Sequence, residues 1–513
     1  MVQPLNLFLV LSQVLAAYAI VLDIPHSPRA GRQIVDASYQ AFSIEFFSFL
    51  DYSSNSTYSN PLNYNLVKNI REIGKRPINV RIGGSSQNHV WWAPDQEEGL
   101  RAWFWPDSTG YQKTYNVTIG PKFYDAFDAW PSDTEFTLGL PFSYYNYSYL
   151  ESNIEIARRA HVKLGNRLTG LQVGNEMKAP AFRFLEPQTP SDYVPHWLNY
   201  VYNISNAVFG KQNERVWTIG AFQAPTWINC SDPLSIDCWS IRSILELGIN
   251  AEDLGVAADV HEYMETSSSN YVDRQFLMNH NNTIYYPDSN AELAAYAKSK
   301  GLDYWLGETN SISGHGKINV SDTFAAALWN IDYTLYCAQT NISRLGFHQG
   351  IGWKYSAWNP IEMWVYPSGV MASYYAWLVV QTALAGAGKQ VELLISEKHL
   401  VAYAIYEVGR HRRLDTNLSS IVIVNLEDWD STNDATSRPY VEFELPRNIS
   451  RKAQLSRLTA AGADVKAARA ITFAGQLVNE TGMIEGDRHV EKLDRSGKVK
   501  VLSSEAVLIS FAH

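Results

Sequence analysis

Cysteine is scarce in this chain, with three among 513 residues, which excludes a disulfide-built scaffold and a multi-cysteine zinc module. Charge is sparse as well. Only 18% of residues are Asp, Glu, Lys or Arg, and 42 basic against 52 acidic residues leave a net charge of −10. Without a basic face, nucleic acid and anionic membrane surfaces are excluded as partners. No Walker loop, dinucleotide fingerprint, zinc-ligand spacing or serine-hydrolase elbow occurs, so no cofactor or metal is implied. Apart from Leu5–Leu22 there is no long apolar run, which excludes a multi-span membrane protein. Disorder, collagen and coiled coil are excluded by composition.

What is abundant is more telling. The chain carries 16 Trp, 30 Tyr and 20 Phe, more than a core needs, and these rings also stack on sugars. Asn-x-Ser/Thr occurs eleven times, at Asn55, Asn116, Asn146, Asn203, Asn229, Asn281, Asn319, Asn341, Asn417, Asn448 and Asn479. Composition alone predicts about four. The apolar run ends in Ala17-Tyr18-Ala19, a small-x-small cleavage pattern, so residues 1–19 are read as a signal peptide. The mature protein is expected to be secreted, glycosylated, free of the membrane and monomeric. In that oxidising setting Cys230 and Cys238 are close enough to staple one loop, and Cys337 reads as a buried thiol in a helix.

From residue 38 short apolar runs alternate with amphipathic ones. Candidate strands are Ala41–Phe47, Ile78–Ile82, Glu135–Leu140, Gly170–Gly174, Val216–Ala221, Ala257–Tyr263, Asp303–Gly307 and Arg344–Gln349. Most are spaced as βα units, which predicts a (β/α)8 TIM barrel over 38–388. Helices are expected over Glu151–Gly165, over Ser191–Gly210 with a Ser cap, over Ala291–Lys300 capped by Asn290, over Asp322–Gln339 capped by Ser321, and over Met371–Gly388. Beyond 388 the texture changes. Leu400–Tyr406, Ser420–Leu426, Tyr440–Leu445 and Ala506–Phe511 predict an all-β sandwich domain over 389–513, with residues 20–37 returning to pair with it.

In such a barrel the chemistry sits at the C-terminal strand ends. Leu171-Gln172-Val173-Gly174-Asn175-Glu176 is an apolar strand running into Asn-Glu, and Tyr304-Trp305-Leu306-Gly307-Glu308 is another ending in Glu. One strand-terminal Glu is ordinarily a solvated loop residue. Two, three strands apart in one barrel, supply the paired carboxylates that glycoside hydrolysis requires.

Gly174-Asn175-Glu176, Gly307-Glu308-Thr309, Ser321-Asp322-Thr323-Phe324-Ala325-Ala326, Arg81-Ile82-Gly83-Gly84 and His261-Glu262-Tyr263 together resemble the heparanase and β-glucuronidase family, glycoside hydrolase family 79, especially its fungal secreted members. The resemblance implies a retaining mechanism, with Glu176 as acid/base and Glu308 as nucleophile. It further implies that Asn175 binds the 2-hydroxyl and that Tyr263 orients the nucleophile, although Tyr263 alone also reads as a core aromatic. Arg81 either keeps Glu308 ionised or forms a structural ion pair. The uronate pocket of that family departs here: Ser313 stands where a tyrosine is expected, while Gly314, Gly316 and Tyr355 match. His315 and Lys354 are possible cationic substitutes.

The resulting expectation is an exo-acting retaining β-glucuronidase releasing glucuronic or 4-O-methylglucuronic acid from polysaccharide side chains. The alternatives are a neutral-sugar β-glycosidase on the same scaffold and a non-catalytic carbohydrate-binding cell-surface protein.

Overall fold

The computed structural model describes residues 19–53, 60–105, 113–143, 148–177, 189–223, 238–363, 367–386, 388–408, 418–450, 453–493 and 496–511. Eight parallel strands close into a barrel in chain order. They are β1 (Gln40–Glu45), β2 (Asn79–Gly83), β3 (Glu135–Leu140), β4 (Leu168–Val173), β5 (Trp217–Gln223), β6 (Gly255–Thr266), β7 (Asp303–Ser313) and β8 (Arg344–Gln349). Closure covers both faces of each strand, which is why they read as apolar runs rather than as alternating ones. Every residue of β1 is buried.

The expected helices over Glu151–Gly165 and Met371–Gly388 run instead over Ser148–Leu164 and Tyr374–Ala383, and the other three differ in their caps. The helix Pro190–Phe209 is capped by Thr189 rather than Ser191. Thr189 Oγ1 accepts the Asp192 N–H at 3.2 Å, and the Asp192 carboxylate accepts from the Thr189 N–H at 3.2 Å. Pro190 then occupies the first helical position, where its missing donor costs nothing; a cap of this kind is worth about 1 kcal/mol. The helix expected to begin at Asn290 begins at His280, capped by Asn279, and runs through Pro287 to Ser299. Asn290 is buried mid-helix, accepting from the Tyr304 hydroxyl at 2.5 Å and donating to Glu262. The helix Phe324–Ala338 has Thr323 at its cap position, while Ser321 Oγ accepts the Lys317 N–H at 3.0 Å.

Two features were absent from the sequence reading. A three-stranded sheet (Val90–Trp92, Lys113–Ile119, Leu100–Trp105) follows β2. Phe104 meets Phe47 edge-on at 5.2 Å and Trp91 meets Tyr149 at 3.9 Å, which fixes this sheet beside the barrel mouth. In the C-terminal region, Lys389–Glu397, Ala453–Thr459 and Lys498–Leu502 join the expected strands. One antiparallel sheet is built around Leu400–Glu407, Leu418–Asn425 and Glu505–Phe511, and the other holds Ile20–Val21, Tyr440–Glu444 and Lys498–Leu502. Ala404, Ile421, Ile423, Phe443, Val501 and Ile509 fill the space between them. Ile20 and Val21 pair in parallel with Phe443 and Glu444, and Val35 bridges to Lys389.

The barrel and this sandwich are packed together through a buried polar cluster. The Tyr403 hydroxyl donates to Asp332 Oδ1 at 2.5 Å, and His280 links Asp332 (3.0 Å) to Ser396 Oγ (3.0 Å). Cys337 is free and buried in the neighbouring helix, where burial pushes its thiol well above the usual range. Cys238 is disulfide-bonded, and Cys230 lies outside the described residues. Among the described residues no helix is long and apolar enough to cross a membrane.

Candidate active site

The site is assembled by register. Across the barrel wall Arg81 on β2 pairs with Ser43 on β1, Ser43 pairs with His348 on β8, and His261 on β6 pairs with Glu308 on β7. A bulge between Val260 and His261 shifts the β6–β7 register just before this last pair, the kind of irregularity that re-aims side chains beside active sites. With alternation of period two, His261 and Tyr263 face the barrel interior, and Glu262 faces the helix layer. There burial raises Glu262 to about 8, against the lowering effect of its bond from Asn290.

Glu308 sits in a nest of donors. Tyr263 Oη donates to Glu308 Oε1 at 2.8 Å, and Arg81 Nη1 donates to Oε2 at 3.0 Å. His261 Nδ1 and His348 Nε2 approach Oε2 at 3.6 and 3.7 Å. Burial by itself raises the carboxyl pKa, but the charges of His348, His261 and Arg81 and the Tyr263 hydrogen bond outweigh it and bring Glu308 down to about 2. Burial also lifts the Tyr263 and Tyr355 phenols well above their ordinary value, so both stay protonated donors. Their rings stack 6.0 Å apart. The two readings of Arg81 therefore coincide: it is a buried ion pair, and its partner is Glu308.

Glu176 leaves β4 by a sharp turn. Gly174 has φ +83 and Glu176 has φ +48, a left-handed conformation costing about 1–3 kcal/mol in a residue with a Cβ. The surroundings hold it there. Glu176 donates its N–H to the Ala221 carbonyl at 2.8 Å, and Asn88 clasps the preceding peptide through two hydrogen bonds, 2.8 and 3.0 Å. Asn175 Oδ1 accepts from Arg81 Nη2 at 2.6 Å. His261 Nδ1 lies 3.1 Å from Glu176 Oε1.

One ligand atom of each of Glu176, His261 and Glu308 lies within 4.8 Å of the others. The set has the composition a transition-metal ion accepts, yet the Arg81 guanidinium already neutralises the Glu308 side. Oxygens of the two carboxyls within 4.8 Å of each other are too close to leave room for the water that an inverting pair, about 6.5–9.5 Å apart, holds between them. A cavity of about 510 Å³ lined by Arg29, Arg32, Tyr336 and Glu392 holds none of these groups.

The glycine loop after β7 differs from its expected use. Gly314, His315 and Gly316 have φ +69, +68 and +81. Gly316 donates its N–H to the Ile312 carbonyl at 3.1 Å, closing the turn, so that donor is committed within the protein and does not serve a substrate carboxylate. The His315 ring stacks on Trp353 at 4.2 Å, and its carbonyl accepts the Lys354 N–H at 2.9 Å. Trp353 meets the Tyr355 ring edge-on at 5.7 Å, linking this loop to the stacked pair Tyr263 and Tyr355.

The model of the glycosyl hydrolase family 79 C-terminal beta domain matches residues 402–508, the sandwich that backs this barrel. Residues 402–508 thus carry the likeness to glycosyl hydrolase family 79. A β-glucuronidase of Aspergillus niger is 28% identical over 470 residues, covering 86% of this chain and 83% of that protein. A β-glucuronidase of Neurospora crassa is 27% identical over 452 residues, covering 80% and 77%. Among solved structures, a 4-O-α-L-rhamnosyl-β-D-glucuronidase from Fusarium oxysporum 12S superposes with a TM-score of 0.77 at 22% identity, covering 96% of this chain and 100% of that one. An arabinofuranosidase superposes at 0.60 with 13% identity, covering 96% and 100%. These likenesses carry the barrel fold, and the chain is a glycoside hydrolase.

Several groups at the site went unassigned from sequence. Asn88, Glu45 and His348 carried no local pattern that marks a ligand or an acid, and Gln172 and Asp259 support from within the barrel. Gln172 accepts from Arg81 Nε at 2.9 Å, and Asp259 accepts the Gly307 N–H at 2.8 Å. His261 had one available signal, its position two residues before Tyr263 on the same strand face.

Proposed function

We propose that the chain is a secreted, N-glycosylated, retaining exo-β-glucuronidase, with residues 1–19 removed as a signal peptide, 38–388 as the catalytic barrel and 389–513 as its β domain. The observation that carries the mechanism is the close approach of Glu176 and Glu308, within 4.8 Å, with only Glu308 fully ringed by cationic and phenolic donors. Glu308 attacks the anomeric carbon while Glu176 gives its proton to the leaving oxygen; Glu176 then deprotonates the water that hydrolyses the glycosyl-enzyme. Asn175, with Oδ1 committed to Arg81, turns its Nδ2 to the sugar 2-hydroxyl. Tyr263 orients the nucleophile.

The glycone assignment draws on the names of the Aspergillus and Neurospora relatives. Tyr355, the Gly314 backbone and His315 are proposed as the uronate pocket. A Cys230–Cys238 disulfide belongs to the same proposal. Of the sequon residues, Asn203, Asn281 and Asn319 are exposed, and Asn116, Asn341 and Asn479 are half-buried. Asn55, Asn146, Asn229 and Asn417 lie outside the described residues, as does the Asn448 side chain.

A second reading, a neutral-sugar β-glycosidase, is favoured by Ser313 in the tyrosine position and by the committed N–H of Gly316. Initial rates on matched aryl β-glucuronides and aryl β-glucosides decide between them. Preference for the glucuronide is expected, and preference for the glucoside replaces the first reading by the second. Absence of turnover on every β-glycoside would leave a carbohydrate-binding protein.

A further inference from the structure

His348 lies at the end of β8, buried, with no part in the proton transfers described above. Its Nδ1 is 3.0 Å from Ser43 Oγ, which itself accepts from Arg81 Nη1 at 2.9 Å. Its Nε2 faces two carboxylates, Glu45 Oε2 at 3.4 Å and Glu308 Oε2 at 3.7 Å. Glu45 is fixed independently: its Oε1 accepts the Ser86 N–H at 2.8 Å and the Ser86 hydroxyl. Gly84, at φ +90, gives the carboxylate its place, because a Cβ there would come within 2.3 Å of Glu45 Oε2. On its side the imidazole packs against Trp353, ring centroids 5.2 Å apart.

This arrangement determines where the imidazole hydrogen is. An Nε2 lone pair set against two carboxylates is repelled by both, so the stable forms carry hydrogen on Nε2. Ser43, with one lone pair taken by Arg81, can give its hydroxyl hydrogen to Nδ1 and hold that tautomer even when the ring is neutral. We propose that Ser43 and His348 form a positioning relay: Arg81 orients Ser43, Ser43 fixes the tautomer of His348, and the His348 Nε2–H is presented to the nucleophile Glu308, with Glu45 as the anchor that keeps the ring in place. His348 thus holds the nucleophile ionised without touching substrate. At 3.7 Å the coupling to Glu308 is electrostatic rather than a hydrogen bond. The other charged or titratable groups around this cluster are Arg81, His261, Tyr263 and Glu176 beside Glu308, Tyr355 within electrostatic range of both carboxylates, His89 within that range of Glu45, and His315 beyond Trp353. None of these occupies the gap between Glu45 and Glu308.

The inference rests on Glu308 being the nucleophile, so that point is measured first: a 2-deoxy-2-fluoro-glycosyl fluoride should label Glu308 of the parent enzyme. A label elsewhere overturns the nucleophile reading itself, whatever the His348 variants do. The inference is then tested with His348→Gln and His348→Asn, because glutamine places an N–H near the Nε2 position and asparagine near Nδ1. The readout is the variant-to-parent ratio of kcat/KM against pH on an aryl glycoside with an activated leaving group, in which titration of the substrate cancels. His348→Asn should raise the acid limb by about one pH unit, a tenfold rise in proton affinity of the nucleophile, and His348→Gln should raise it by less than half as much. Glu45→Gln, which keeps the Ser86 contacts and removes only charge, should produce no upward shift. If both His348 variants lose activity with the limb unmoved, or if His348→Gln and His348→Asn shift it equally, His348 is a packing residue and the relay is wrong. An upward shift in Glu45→Gln matching that of His348→Asn likewise overturns it, since Glu45 would then set the nucleophile.

Discussion

Asn88 and Asn175 hold each other by the backbone: Asn88 Nδ2 donates to the Asn175 carbonyl at 2.8 Å, and the Asn175 N–H donates back to Asn88 Oδ1 at 3.0 Å. The clasp fixes the peptide immediately before Glu176, the residue held at φ +48. Asn88, in the 3-10 turn Ser85–His89, thereby aims both the amide proposed to meet the sugar 2-hydroxyl and the carboxyl proposed to deliver the proton.

Asn88→Ala removes both bonds and leaves a strained turn unsupported. The expected loss is about 10–100-fold in kcat/KM on substrates that need a proton from Glu176, and less on activated aryl leaving groups. Equal losses on both substrate types would show that Asn88 supports the whole site and not the acid in particular.

The two glutamates should separate kinetically. Glu308→Ala should lower turnover by several orders of magnitude on every substrate, and added azide should yield a glycosyl azide of inverted anomeric configuration. Glu176→Ala should keep activity on leaving groups that need no protonation and lose it on natural glycosides. Proton NMR of the first product of the parent enzyme should show the β anomer, and an α anomer appearing first rules out retention.

The Glu308 ion cluster also has a consequence for folding. Its carboxyl is near 2 when folded and about 4.3 when unfolded, so the folded state binds the proton less well. Stability from this group is present above about pH 4 and is lost as pH falls through about 2. Glu308→Gln leaves Arg81 buried without its anion and should melt lower than the parent at pH 6. The gap in Tm should narrow steadily toward pH 2.5. A gap independent of pH would mean that shape, not charge, holds the cluster.

For the proposed uronate pocket, His315 stacked on Trp353 is the side chain offered in place of the absent tyrosine. A substrate carboxylate gains from a donor at that position, whereas a neutral sugar does not. His315→Ala should raise KM for an aryl glucuronide and reduce the glucuronide-to-glucoside ratio of kcat/KM by about tenfold, the worth of one hydrogen bond to a charged group. An unchanged ratio assigns His315 to the turn alone.

The eight barrel strands were legible because closure buries both their faces, leaving apolar runs between polar loops; β3 and β8 have the expected bounds. Helix starts were less legible. Pro287 reads as a helix break in isolation, yet the helix passes through it, and Asn290 serves the core. The tryptophan-rich strands Val90–Trp92 and Leu100–Trp105 lack the polar alternation that marks a half-buried sheet. At the site, Glu176 and Glu308 were legible as carboxyls closing apolar strands. Glu45, Asn88 and His348 were not, because their roles come from neighbours across the barrel: His348 meets Ser43, 305 positions away, only through β8–β1 closure. The commitment of the Gly316 N–H is likewise a property of the turn it closes and not of its sequence.

The parallel pairing of Ile20–Val21 with Phe443–Glu444 sets an order on biosynthesis. A ribosome reading from the N-terminus makes the first strand about 420 residues before its partner exists. The barrel can assemble during synthesis, but the leading segment has nowhere to dock until the chain is nearly complete. A nascent chain halted between the end of β8 and Phe443 would therefore carry a loose N-terminal end beside a finished barrel. Protease attack on that end would distinguish stalled from completed chains.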